Sequence, residues 1–105
     1  MKIRFQSAKL RHIFNDYPLL QARYGEELAD TIATRLAVLS AARHLGAVPR
    51  LPPVRLQSLH RSTTQFTVDL IPPRKLRFAV LKAGAAATDG PKNGHVGEIE
   101  VLAVD

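Results

Sequence analysis

Five cations crowd one short stretch of this 105-residue chain: Arg55, Arg61, Arg74, Lys75 and Arg77. Between Leu51 and Lys82 six basic residues stand against a single acid, Asp69. Guanidinium and ammonium groups gathered in this way attract phosphate oxygens, so a polyanion is the expected counterpart. His60 lies in the same stretch. Imidazole is the side chain suited both to donate and to accept a proton near neutral pH, which makes His60 the candidate for moving a proton. Asp105 adds a carboxylate that can orient a base or a cation, although an Asp so placed is more often frayed and solvated. His12 and His44 fall in helical segments and His95 in a loop, and no pair has the spacing of metal ligands, so no metal site is expected. No phosphate-cradling glycine loop or nucleophile motif appears, and no cofactor is expected. There is no Trp, and Phe66 and Phe78 read as core, so stacking of bases on aromatics is not indicated.

These cations need a frame. Residues Gln65 to Phe78 read as two short strands joined by a Pro72-Pro73 turn. Phe66, Val68 and Leu70 share one face, and Thr67 and Asp69 the other. After the turn Leu76, Phe78 and Val80 are apolar, and Lys75, Arg77 and Ala79 lie opposite. The hairpin then shows one face to a core and a cationic face to a partner. Alternation also predicts strands over 2–6, 54–59 and 97–104. Ser7 is placed to cap a short helix containing Leu10, Ile13 and Phe14. Asp16 and Pro18 open a second helix, whose stripe runs from Leu20 to Leu39 with a local weakness at Gly25. Ser40 is read as capping a short turn, Ala41 to Leu45, that Gly46 ends. Gly46 to Pro53 and Ala83 to His95 are loops. The order is strand, two helices, four strands. Short links between strands require antiparallel hairpins, so the expected fold is α+β, one domain over 1–105, with helices on one face of a mostly antiparallel sheet. The expected core is Ile3, Phe5, Leu28, Ile32, Leu36, Phe66, Val68, Leu70, Leu76, Phe78, Ile99 and Val101.

Composition agrees with a globular chain, at 46% hydrophobic residues. Lys and Arg number 15 and Asp and Glu 9, a net charge of +6, which suits nucleic acid, a ribosome or an acidic protein. Cysteine is absent, which removes disulfides and thiolate metal sites. The N-terminal residues carry no signal-peptide pattern, and no run approaches the roughly 20 apolar residues that span a bilayer, so a soluble cytoplasmic protein is expected.

With this order of elements, Gln65-Phe66-Thr67-Val68-Asp69-Leu70, Lys75-Leu76-Arg77-Phe78 and Val101-Leu102-Ala103-Val104-Asp105 together resemble the HigB-type killer toxins of the RelE/ParE superfamily. Arg35-Leu36-Ala37-Val38-Leu39, followed by Ala41-Ala42-Arg43-His44-Leu45, is similar to the end of that group's long helix. The resemblance covers nearly the whole chain, and its most specific piece is the Phe-x-Val-Asp-Leu strand with the turn after it. It implies a RelE-like fold and the toxin of a bacterial type II toxin–antitoxin pair, which enters the ribosomal A site and cleaves mRNA. A cognate antitoxin, usually with a helix-turn-helix domain, neutralises such toxins.

The resemblance also assigns roles and shows departures. Cleavage by the 2′-hydroxyl needs a proton acceptor, charge on the phosphate and an acid for the leaving oxygen. Lys75 stands where the family has Arg and would stabilise the phosphate, without Arg's bidentate fork. His60 is the remaining proton-transfer candidate, and Asp105 matches the Asp of the family ending. Arg55, Arg61, Arg74 and Arg77 would contact RNA or the ribosome. Gln57 stands in place of a His, the basic turn is shorter, and the sequence ends at Asp105 without the usual Tyr-His. Two rivals follow: a toxin that binds without cutting, and a ParE-like inhibitor of DNA gyrase.

Overall fold

Alternation and capping explain most of the elements in the computed structural model, which describes residues 1–81 and 97–105, with the side chain of Arg61 excepted. The loop expected at Ala83 to His95 lies outside the described residues. The described elements are β1 (Lys2–Phe5), α1 (Ala8–Phe14), α2 (Tyr17–Tyr24), α3 (Glu26–Ala41), β2 (Gln57–Ser58), β3 (Gln65–Asp69), β4 (Lys75–Val80) and β5 (Glu98–Val104). The five strands form one sheet in the order β1-β5-β4-β3-β2. β1 runs parallel to β5, and the other neighbours are antiparallel. The fold is α+β with a mixed sheet. Among the described residues no helix is long and apolar enough to cross a membrane.

The expected second helix is two helices. Gly25 has φ +88°, in the left-handed region that side chains disfavour, and the axis breaks there. Its N–H donates to the Gln21 carbonyl at 2.7 Å, and its carbonyl accepts from the Ala29 N–H at 2.9 Å. Gly25 thus ends α2 and begins α3, with Glu26 and Glu27 complementing the positive end of the new helix dipole. The caps at Ser7 and Asp16 form as expected, to the N–H groups of Leu10 and Leu19. The turn expected at Ala41 to Leu45 is displaced. Ala42 is extended and stops α3, the Met1 ammonium donates to the carbonyls of Leu39, Ser40 and Ala42, and a 3-10 turn forms at Leu45–Ala47.

The strand expected over 54–59 shrinks to Gln57–Ser58. Arg55 and His60, one on either side, both have φ +49°, which no strand accommodates. Val54 and Leu56 are nevertheless buried. In β5 the alternation changes phase. Arg77 pairs with Ala103 but Phe78 pairs with Val101, so Leu102 is an extra residue opposite β4. Before the bulge Ile99 and Val101 face the core, and after it Val104 does.

The core lies between the helices and one sheet face. Leu20, Leu28, Ile32 and Leu39 meet Phe66, Val68, Leu76, Phe78, Ile99 and Val101 there. Each such side chain contributes about 1.5–3 kcal/mol by leaving water. The expected core residues Ile3, Phe5 and Leu36 are half-buried at its margin.

One buried polar side chain crosses this core. Arg35 of α3 is 9% exposed and has no carboxylate partner among the described residues. Its Nε donates to the Asp69 carbonyl at 2.7 Å and its Nη2 to the Pro53 carbonyl at 3.3 Å. Arg35→Met keeps the stem but strands both carbonyls, and a bond to a charged donor is worth about 1.5–3 kcal/mol. Arg35→Met is expected to lower unfolding free energy by about 2–3 kcal/mol, read from urea denaturation. Arg35→Lys is expected to recover only part of it, because an ammonium cannot present two parallel N–H groups in the same plane.

Candidate functional site

Asp69, the single acid of the basic stretch, is where the cations converge. Its N–H donates to the Val54 carbonyl at 2.8 Å, and its own carbonyl accepts from Arg35. These two bonds fix the backbone, and the side chain then points to the sheet face opposite the core, as alternation predicts. Its Oδ2 lies 2.9 Å from Arg55 Nε and its Oδ1 3.5 Å from Lys75 Nζ. The Arg55 contact is an ion pair rather than a hydrogen bond, since the N–H is not aligned with the oxygen. Lys75 Nζ also donates to Gln57 Oε1 at 3.0 Å.

Strand pairing carries the row further. Asp69 is opposite Lys75, and Lys75 exchanges backbone bonds of 3.1 and 2.8 Å with Asp105. Arg77, two residues along β4 and so on the same face, donates from Nε to Asp105 Oδ2 at 2.9 Å and from Nη2 to Oδ1 at 3.5 Å. Arg74 Nε donates to the Asp105 main-chain oxygen at 3.2 Å. Asp105 is therefore held by its neighbours and is not frayed. Arg55, Asp69, Lys75, Asp105 and Arg77 form a band of alternating charge. The face is less wet than alternation alone suggests: Thr67, between Gln57 and Arg77 in the neighbouring strands, is buried at 4% exposure.

A cleft of about 460 Å³ opens beside this band. Pro52, Pro72 and Pro73 form apolar walls, and Arg55, Asp69, Arg74 and Lys75 the charged lining. Four cationic side chains stand against two side-chain carboxylates, Asp69 and Asp105, so the side chains of the band and cleft are net positive. The electrostatic field of such a surface favours anions. Among the described residues no group of His, Asp and Glu could hold a metal ion.

The structure thus brings together Lys75, Asp105, Arg55, Arg74 and Arg77. It does not bring His60 to them. His60 is exposed in the turn after β2, and Ser58 before it pairs with Phe66, three residues along β3 from Asp69. Strand rise puts roughly 10 Å between those two rows. Arg61 shares that turn. Asp69 and Gln57 are the site residues that sequence reasoning did not place there. The signal for Asp69 was its isolation among cations, and that for Gln57 was its standing where the resemblance expects His. No protein-family model, curated protein or solved structure matches this chain.

The left-handed conformation of His60 makes it a backbone feature. A side chain there costs roughly 1–2 kcal/mol relative to glycine's freedom. Offset by the larger entropy of an unfolded glycine, His60→Gly is expected to raise stability by about 0.5–1 kcal/mol in urea denaturation, and His60→Val to lower it.

Proposed function

We propose that this chain is a HigB-type toxin of the RelE/ParE superfamily, with a RelE-like fold. It acts in the cytoplasm on mRNA in the ribosomal A site and is held in check by a cognate antitoxin with a helix-turn-helix domain. The observation that carries the reading is the convergence of Arg55, Arg74, Lys75 and Arg77 with Asp105 on one sheet face, beside a cleft. These include the positions that the resemblance marks for RNA contact and cleavage. The order of strand, helices and antiparallel hairpins agrees with it. As the 2′-oxygen attacks, passing its proton to water, and the 5′-oxygen leaves, taking a proton from water, the Lys75 ammonium would stabilise charge on the phosphate oxygens. Arg55, Arg74 and Arg77 would hold the flanking backbone, without sequence preference.

A second reading, a toxin that binds without cutting, draws on two observations. Lys75 is already engaged by Asp69 and Gln57, and His60 lies at a distance from it. Primer extension on an actively translated mRNA separates the two. The first reading expects weak cleavage that falls about 10²–10³-fold in Lys75→Ala and changes little in His60→Ala. A-site occupancy by toeprinting, with no cleavage, would establish the second. Inhibition of gyrase supercoiling with no ribosome binding would replace both with a ParE-like activity.

A further inference from the structure

The Asp105 carboxylate lies against the guanidinium of Arg77. Its two carboxylate oxygens face Nε and Nη2 of Arg77, at 2.9 and 3.5 Å. This is the two-point geometry by which guanidinium also binds phosphate. The arrangement is not imposed by simple alternation. Ile99 and Val101 face the core, so a regular strand would turn Asp105 toward the core side as well. The extra residue at Leu102 reverses the phase and delivers the carboxylate to the cationic face. The backbone pairing with Lys75 and the Arg74 bond to the main-chain oxygen then hold it there.

We infer that Asp105 is an internal counter-anion on Arg77 that any phosphate ligand of this face must displace, so that a single phosphate group is held weakly and a chain of phosphates is held through its further contacts. The inference deepens the proposed function, in which the same face meets RNA. A lone phosphate that displaces Asp105 exchanges one bidentate anion for another and leaves a carboxylate to be rehydrated nearby, so little is gained. An oligonucleotide also brings phosphates to Arg74 and Lys75, and those additional contacts offset the displacement. The Asp105 side chain is 51% exposed and that of Arg77 32%, so their pair is weak and readily opened. The attenuation is therefore modest and sensitive to salt.

The test uses the full chain with two probes, inorganic phosphate and a 2′-O-methyl hexanucleotide that cannot be cleaved through its 2′ position. The readouts are the dissociation constants, their salt dependence and the Nε–Hε NMR resonance of Arg77. Asp105→Asn removes the charge and keeps the backbone pairing, and Asp105→Ser is a second variant without the carboxylate. At low salt both are expected to bind each probe about two- to fivefold more tightly than the parent. The hexanucleotide's log–log salt slope should steepen by about 0.7, one further counterion released from a single strand. Phosphate should move the Arg77 resonance in the variants and leave it nearly still in the parent. In an Arg77→Gln background the gain should vanish. Equal affinities and slopes in parent and variants would overturn the inference, as would an undiminished gain without Arg77. Phosphate capture at Arg77 in Asp105→Asn, with no ribosome binding by any form, would sink the toxin reading and leave this inference standing. Ribosome binding and hexanucleotide affinity both unaffected by Asp105→Asn would do the reverse.

Discussion

The fork of Arg35 is the contact on which the charged end of this sheet depends. A guanidinium at 9% exposure is costly to bury, and here two main-chain carbonyls offset that cost. One belongs to Asp69 at the end of β3 and the other to Pro53 in the connecting loop. A single side chain of α3 therefore ties the helical layer to the strand and to a loop with few bonds of its own. The alternative occupant, an aliphatic side chain, would pack the helix equally well. It would leave the carbonyls of Pro53 and Asp69 unpaired, with the Asp69 N–H bond to the Val54 carbonyl as the remaining backbone tie between the loop and β3.

Because its backbone is clamped on both sides, Asp69 can act as a rigid centre for mobile cations. Long Arg and Lys side chains lose conformational entropy when they are ordered, and a fixed carboxylate lowers that cost. Arg55 and Lys75 converge on it from a loop and from β4. The left-handed backbone at Arg55 belongs to the same arrangement: it ends the approach to β2 and lies beside the start of the cleft. The alternation of charge also limits self-repulsion. Four cations this close would oppose one another, and two interleaved carboxylates reduce that repulsion while keeping the local charge positive.

Two departures from regular geometry shape the site. The turn at His60 shortens β2 and carries the basic turn away from Lys75, and the bulge at Leu102 turns Asp105 toward Arg77. The first separates residues that are near in sequence. The second joins residues distant in sequence, Arg77 and Asp105.

What the residues by themselves determined was the local pattern. Apolar alternation marked β1, β3, β4 and β5, and the helical stripe with its caps at Ser7 and Asp16 marked the helices, since burial and capping act over a few neighbouring residues. The opposition of Phe66, Val68 and Leu70 to Asp69, and of Leu76 and Phe78 to Lys75 and Arg77, was legible for the same reason. Tertiary structure decided whatever depended on partners far along the chain. The parallel pairing of β1 with β5 and the truncation of β2 are examples, whereas the break at Gly25 is local and stood in the sequence as a weak point of the helix. The phase reversal at Leu102 is another example, which shows only when β5 is set against β4. Above all, sequence marked the cations as a group, but the fold paired them with Asp69 and Asp105. An ion pair is set by the through-space positions of two side chains, and strand register supplies those positions where composition cannot.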